Sequence, residues 1–222
     1  MSEKDIIKSV LLSFEQSSTK IKYDKIYTWD DGPNSIKQIT LSFGITEYGN
    51  LRNFIKDYIF SGGVNSKFFS SYIDQIGRVS LVNDKEFIQK LKDSGTDPIM
   101  QKCQENAYDD MYITPAYNWA DRNKFEKPLS KLVICDSFLQ SGSILSLLRN
   151  KFSETVPSNG GDEKKWIKEY CIARRSWLAN HSRKILNKTV YRMDFMNERM
   201  LLDDWNLQKF PMDANGVIIK DQ

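Results

Sequence analysis

The chain opens on Ser2-Glu3-Lys4-Asp5, a capping-box pattern, and then places Ile7, Val10, Leu11 and Phe14 at helical spacing. This predicts an amphipathic first helix with Glu15 at the border of its apolar face. The next segment changes period. Residues 23–29 lead into Asp30-Asp31-Gly32-Pro33-Asn34-Ser35, a dense run of turn formers, and Ile39-Thr40-Leu41-Ser42-Phe43 alternates apolar and polar side chains. A short hairpin or small sheet is expected there, ending near Gly44 and Gly49. Helical spacing returns at Leu51, Phe54, Ile55, Tyr58 and Ile59 and breaks at Gly62-Gly63.

Further helices are predicted over residues 84–96, from Asp97-Pro98 with proline at the first helical position, and from Thr114-Pro115-Ala116. Residues 127–148 read as a long apolar helix interrupted around Ser141-Gly142. After a surface loop at 158–161, an amphipathic helix starts at Asp162-Glu163 and runs through Trp166, Tyr170, Ile172 and Ala173, and a last main helix covers 191–202. Residues 182–189 are expected as a loop, and Pro211 and Gly216 as part of an irregular tail. The fold class is therefore mainly α with a small β element near the N-terminus. Helices on both sides of that element point to one domain, residues 1–222, built of two lobes with a cleft near residues 15–50.

Counting residue types narrows the chemistry. There is one histidine, His181, which removes histidine clusters for zinc or iron and leaves a Ser-His-Asp triad a single residue to rest on. Cys103, Cys135 and Cys171 form no CxxC pair, so neither a zinc ribbon nor a disulfide framework is indicated, and no cofactor or metal is expected. Lys plus Arg is 32 against 29 for Asp plus Glu, a net charge of +3 that is too mild to argue for nucleic acid. The basic stretch from Arg174-Arg175 to Arg183-Lys184 spans different helix faces without interleaved aromatic platforms, so no nucleic-acid partner is expected. No apolar run approaches the ~20 residues of a membrane span, and the opening residues lack the basic and apolar regions of a secretory leader. The chain is expected to act as a monomer. Carboxylates and arginines are what remain for catalysis.

Glu15 and Asp31 stand out among them. In glycoside hydrolysis one carboxyl protonates the leaving oxygen while another activates water, and the two need different surroundings. A carboxyl on the rim of an apolar helix face suits the acid, and one in a polar loop suits the base.

Six segments in collinear order carry a family resemblance. Residues 13–18 and Asp31-Gly32 resemble the N-terminal helix and following loop of glycoside hydrolase family 46, the chitosanases of the lysozyme-like superfamily. Gln104-Glu105-Asn106 with Tyr112-Ile113-Thr114-Pro115-Ala116, then Cys135-Asp136-Ser137, continue the match. Gly160-Gly161-Asp162-Glu163 with Ala173-Arg174-Arg175, and Tyr191-Arg192-Met193-Asp194, complete it. The resemblance implies a lysozyme-like fold and an inverting endo-glycosidase acting on β-1,4 bonds of a glucosamine-containing polysaccharide, with Glu15 as general acid and Asp31 as general base. It implies that Asp136, Arg174 and Arg192 form a network behind the acid, that Tyr112 lies at the cleft, and that the protein is secreted. Trp29, beside Asp31, is read as lobe packing rather than as a sugar platform.

The chain departs from the family pattern in two places. After Asp31-Gly32 it runs Pro33-Asn34-Ser35-Ile36, without the family's arginine, and the water-positioning threonine has three candidate substitutes, Ser35, Gln38 and Thr40. The family's amine-gripping aspartate has Glu47 as its nearest counterpart, and Asp30 adds a further carboxylate beside the base. Substrate binding is thus assigned to Glu47, Tyr112, Asp30 and Thr40. Chitosan is a polycation, whereas a basic exterior suits an anionic polymer such as peptidoglycan. A peptidoglycan-cleaving muramidase and a catalytically inactive carbohydrate-binding relative remain the alternatives.

Overall fold

The structure, a computed structural model, describes residues 1–221. It divides into two compact units, one of Met1–Lys20 with the chain from Asp110 onward, the other of Ile21–Asp109.

In the first unit, helix α1 (Glu3–Gln16) begins with the predicted capping box: the Ser2 hydroxyl accepts from the Asp5 amide, and the Asp5 carboxylate accepts from the Ser2 amide. Its buried stripe, Ile6, Ile7, Val10, Leu11 and Phe14, packs on α7 (Pro128–Ser141). Because α7 is buried along nearly its whole length, its apolar residues lie on all sides, as a central helix requires. Gly142, in a left-handed conformation (φ 73°), ends it, and the chain resumes as the separate short helix α8 (Ser146–Arg149). Around α7 lie α6 (Thr114–Arg122), α9 (Glu163–Ala179) and α11 (Tyr191–Leu201). Trp166 and Tyr170 stack at 5.1 Å on α9, with Phe125 and Phe152 edge-on to Trp166.

The Gly160-Gly161-Asp162-Glu163 segment turns out to be a helix start. A Cβ on Gly161 would lie 1.8 Å from the Thr155 carbonyl oxygen, so only glycine fits. Asp162 then caps α9 by accepting from the Lys165 amide at 2.7 Å, and Glu163 accepts from the amides of Glu126 and Lys127 ahead of α7.

Two sequence expectations need correction in this unit. Residues 182–189 are not all loop: Lys184–Asn187 form the short helix α10. The tail is not irregular either, since β4 (Met212–Ala214) and β5 (Val217–Ile219) pair as an antiparallel hairpin. Asn215 and Gly216, both at positive φ, make the tight turn that lets two three-residue strands close.

The second unit holds a three-stranded antiparallel sheet in the order β1 (Ile26–Trp29), β2 (Gln38–Leu41), β3 (Ile45–Thr46). Ile39, Leu41 and Ile45 are fully buried. Helix α2 (Leu51–Phe60) packs on the short helix α3 (Ser66–Ser70) and on α5 (Pro98–Tyr108), and α4 (Lys85–Asp93) adds Phe87 edge-on to Phe69. Asp97 caps α5 and also accepts from the Tyr58 hydroxyl at 2.6 Å and the Val64 amide at 2.9 Å. Gln104 and Glu105, part of the matched sequence pattern, fasten α5 to the segment before the sheet: Gln104 donates to the Tyr23 carbonyl and Tyr23 donates to Glu105, each at 2.9 Å.

Candidate active site

Four helices of the first unit converge on one charge cluster. α1 brings Glu15, α7 brings Asp136, α9 brings Arg174 and α11 brings Arg192. Asp136 is fully buried and accepts from both arginines, from Arg192 Nη1 at 2.8 Å and from Arg174 Nη2 at 3.2 Å. Arg192 uses its other terminal nitrogen on Glu15. Arg174 also donates to Gln140 Oε1 at 2.7 Å and to Ser141 Oγ at 3.4 Å. Two guanidiniums thus face two carboxylates, and the row ends at Glu15, which reaches the surface with its side chain 31% exposed.

Burial alone would lower the proton affinity of Arg192, but the charges of Asp136 and Glu15 more than offset it and hold Arg192 well above the ordinary arginine range. It is therefore a fixed cation that can grip Glu15 at any working pH. The Phe14 and Tyr191 rings lie 5.4 and 5.9 Å from its guanidinium carbon. Glu15 accordingly sits beside a guanidinium as well as at the rim of an apolar face, which periodicity did not reveal.

Tyr112 is carried on a π-helical turn, Asp109–Ile113, that leads into α6. Desolvation first, and the Glu15 charge second, push its phenol up to about 12, so it stays a neutral donor near that carboxylate.

In the second unit, Asp30 and Asp31 are exposed in the turn that follows β1. Gln38 Nε2 donates to Asp31 Oδ1 at 2.9 Å, and Gln38 Oε1 accepts from the Tyr48 amide at 3.1 Å. Both ends of the amide are engaged, which fixes one Asp31 oxygen and leaves the other without a protein partner among the described residues. The loop beyond closes on itself: the Gly32 amide donates to the Ile36 carbonyl at 2.9 Å, and a Cβ on Gly32 would lie 2.6 Å from that oxygen. Asn34 and Ser35 are held at positive φ within it.

Three assignments change on contact with the structure. Glu47 is only 1% exposed, and its oxygens accept from the amides of Leu81 at 2.6 Å and Ile39 at 3.0 Å. It is a staple between β2 and the 81 region, with both oxygens turned inward, and not a group presented to a sugar. Thr40 is buried as well, with a hydroxyl that has no protein partner among the described residues. Trp29, read as a packing residue, is 57% exposed, because it lies on an edge strand with its face turned from the apolar core.

Comparison with known proteins gives the family and the fold. The model of glycosyl hydrolase family 46 matches residues 9–211, and the chain belongs to that family. It is a glycosidase fold by that membership. Over 214 residues the chain is 24% identical to a chitosanase of Bacillus subtilis strain 168, covering 87% of this chain and 75% of the relative. Among solved structures, the native chitosanase of Bacillus subtilis MY002 superposes with a TM-score of 0.81 at 22% identity, over 98% of both chains. The Gynuella sunshinyii family 46 chitosanase in complex with chitotetraose superposes with a TM-score of 0.79 at 18% identity, over 98% of this chain and 96% of that one. The fold is thus the lysozyme-like, mostly helical one of these chitosanases, as expected from the sequence.

Proposed function

We propose that the protein is an inverting endo-glycosidase that hydrolyses β-1,4 bonds of chitosan, with Glu15 as general acid and Asp31 as general base. The observation that carries the assignment of the acid is the row Arg174, Asp136, Arg192, Glu15. A carboxyl that must deliver a proton to one oxygen needs a fixed orientation, and a buried arginine anchored on a second carboxylate supplies it. Family membership and the chitosanase relatives support the substrate.

In this mechanism Glu15 protonates the glycosidic oxygen as the bond to the anomeric carbon breaks. Asp31 takes a proton from a water that attacks that carbon from the opposite face, and the product leaves with inverted configuration. Inverting glycosidases in general hold their two carboxyl groups ~6.5–9.5 Å apart to leave room for the water. Gln38, which orients Asp31, is the positioning residue for the base. Tyr112 donates a hydrogen bond beside the acid, and Asp30 offers a second carboxylate to a substrate ammonium group.

Proton NMR of a chitosan digest at early times tests the reading. The expected first product is the α anomer. A β anomer would overturn inversion, and clearing of purified peptidoglycan without release of reducing ends from chitosan would overturn the substrate.

A further inference from the structure

Strand β1 is an edge strand, and two of its four residues are large aromatics that the fold leaves in solvent: Tyr27 is 38% and Trp29 57% exposed. They are two residues apart, so they stand on the same face of the sheet. Their rings are nearly parallel, 21° apart, with centroids separated by 6.3 Å. Scattered single hydrophobic residues on a surface are ordinary, but two near-parallel aromatic rings held two residues apart on a strand form a patch with a direction.

The register of the ladder says what else shares that face. Residues directly opposite in an antiparallel pair lie on one face, and here Tyr27 faces Thr40 and Trp29 faces Gln38. On that face Gln38 and Thr40 are buried, so its exposed part is the aromatic pair, and Gln38 holds Asp31 from within. Trp29 precedes the two exposed carboxylates Asp30 and Asp31 directly in the chain. Within the second unit the exposed rings are thus followed directly along the chain by the exposed carboxylates, one of them the proposed base.

We infer that Tyr27 and Trp29 form a sugar-binding platform that seats glucosamine units of the polymer beyond the cleaved bond. The inference rests on the functional reading above and goes further than the assignment of acid and base. Its chemistry is specific. A β-1,4-linked glucosamine ring carries its substituents equatorially, so its flat faces are C–H surfaces that pack on an aromatic ring, while its ammonium group is attracted both by the π face of an indole and by neighbouring carboxylates. Asp30 and Asp31 supply that charge next to Trp29, and the nearby Asp24 is paired with Lys25 at 3.8 Å. The platform accordingly favours a cationic sugar chain over an anionic one.

The test measures binding without turnover. Isothermal titration of a glucosamine hexamer into the Glu15→Gln protein sets the reference, and the Glu15→Gln/Trp29→Ala protein is compared with it. The expected result is an affinity roughly threefold to tenfold weaker, with Glu15→Gln/Trp29→Phe recovering most of the loss because an aromatic face is restored. Circular dichroism should show the same melting profile for all three, since Trp29 is exposed. Affinity unchanged by Trp29→Ala would overturn the platform and leave the functional reading standing. Failure of the reference protein to bind the hexamer at all would overturn both. A loss that Trp29→Phe does not recover would also overturn the stacking role.

Discussion

Replacing Asp136 by alanine removes the carboxylate on which two buried arginines close. Arg174 is fully buried and Arg192 nearly so, and their distances to Asp136 are 3.2 and 2.8 Å. Without Asp136, Arg174 is left with neutral partners, Gln140, Ser141, Tyr170 and a backbone carbonyl, and Arg192 with the Glu15 carboxylate and the rings of Phe14 and Tyr191. Breaking a buried pair by removing one partner costs ~3–5 kcal/mol, because an uncompensated charge stays out of water. For a chain of this size each kcal/mol moves the melting temperature by about 2–4 °C, so a drop of roughly 6–20 °C is expected. Arg175→Ala is the internal control. The Arg175–Asp194 pair is just as short, 2.7 Å, but about half exposed on both sides, and an exposed pair contributes about 1 kcal/mol or less. Thermal denaturation followed by circular dichroism reads both variants side by side. If Asp136→Ala melts no lower than the Arg175→Ala control, the burial argument for the cluster is refuted.

Gln38→Ala should lower kcat on chitosan by about tenfold or more while KM changes little, because it frees Asp31 without touching substrate; an equal loss in both parameters would assign Gln38 to binding instead. Asp97 gives the pH dependence. Burial raises its proton affinity, but hydrogen bonds from Tyr58, Val64 and Ile99 more than offset this and hold it below the ordinary 3.8. Its stabilisation is therefore present above that value and lost as pH falls through the lowered folded-state value. Asp97→Asn should weaken the fold at neutral pH and flatten the decline in stability below about pH 4, as followed by urea unfolding at a series of pH values.

Much of the fold was legible because its elements announce themselves locally. Ser2 and Asp5 mark the start of α1, Asp97-Pro98 that of α5, Asp162 that of α9, and Gly142 the end of α7. The C-terminal hairpin was missed although Asn215-Gly216 is a strong turn signal, because strands of three residues are too short to display alternation. Strand β2 misled in another way. All four of its residues are buried, so the polar members Gln38 and Thr40 are inside and not on a wet face.

At the site, the residues of the charge cluster come from four helices spread over most of the chain, and nothing in the periodicity of any one helix brings them together. Arg174 and Arg192 look like surface charges until the helices pack. Glu47 erred in the opposite direction: a glutamate in a Gly-rich turn suggests solvent, and only the amides of Ile39 and Leu81, distant in sequence from each other, explain why it is inside. Sequence alone places Trp29 in packing because an aromatic residue is usually core, whereas its exposure follows from the position of β1 at the edge of the sheet.

The role of Glu15 is tested most directly by the initial rate of reducing-end release from soluble chitosan by Glu15→Gln. The substitution removes the transferable proton with almost no change of volume, so a loss of about 10²- to 10⁴-fold is expected, with melting behaviour close to that of the parent protein. Retention of more than about a tenth of the rate would contradict the account and place the acid on another residue.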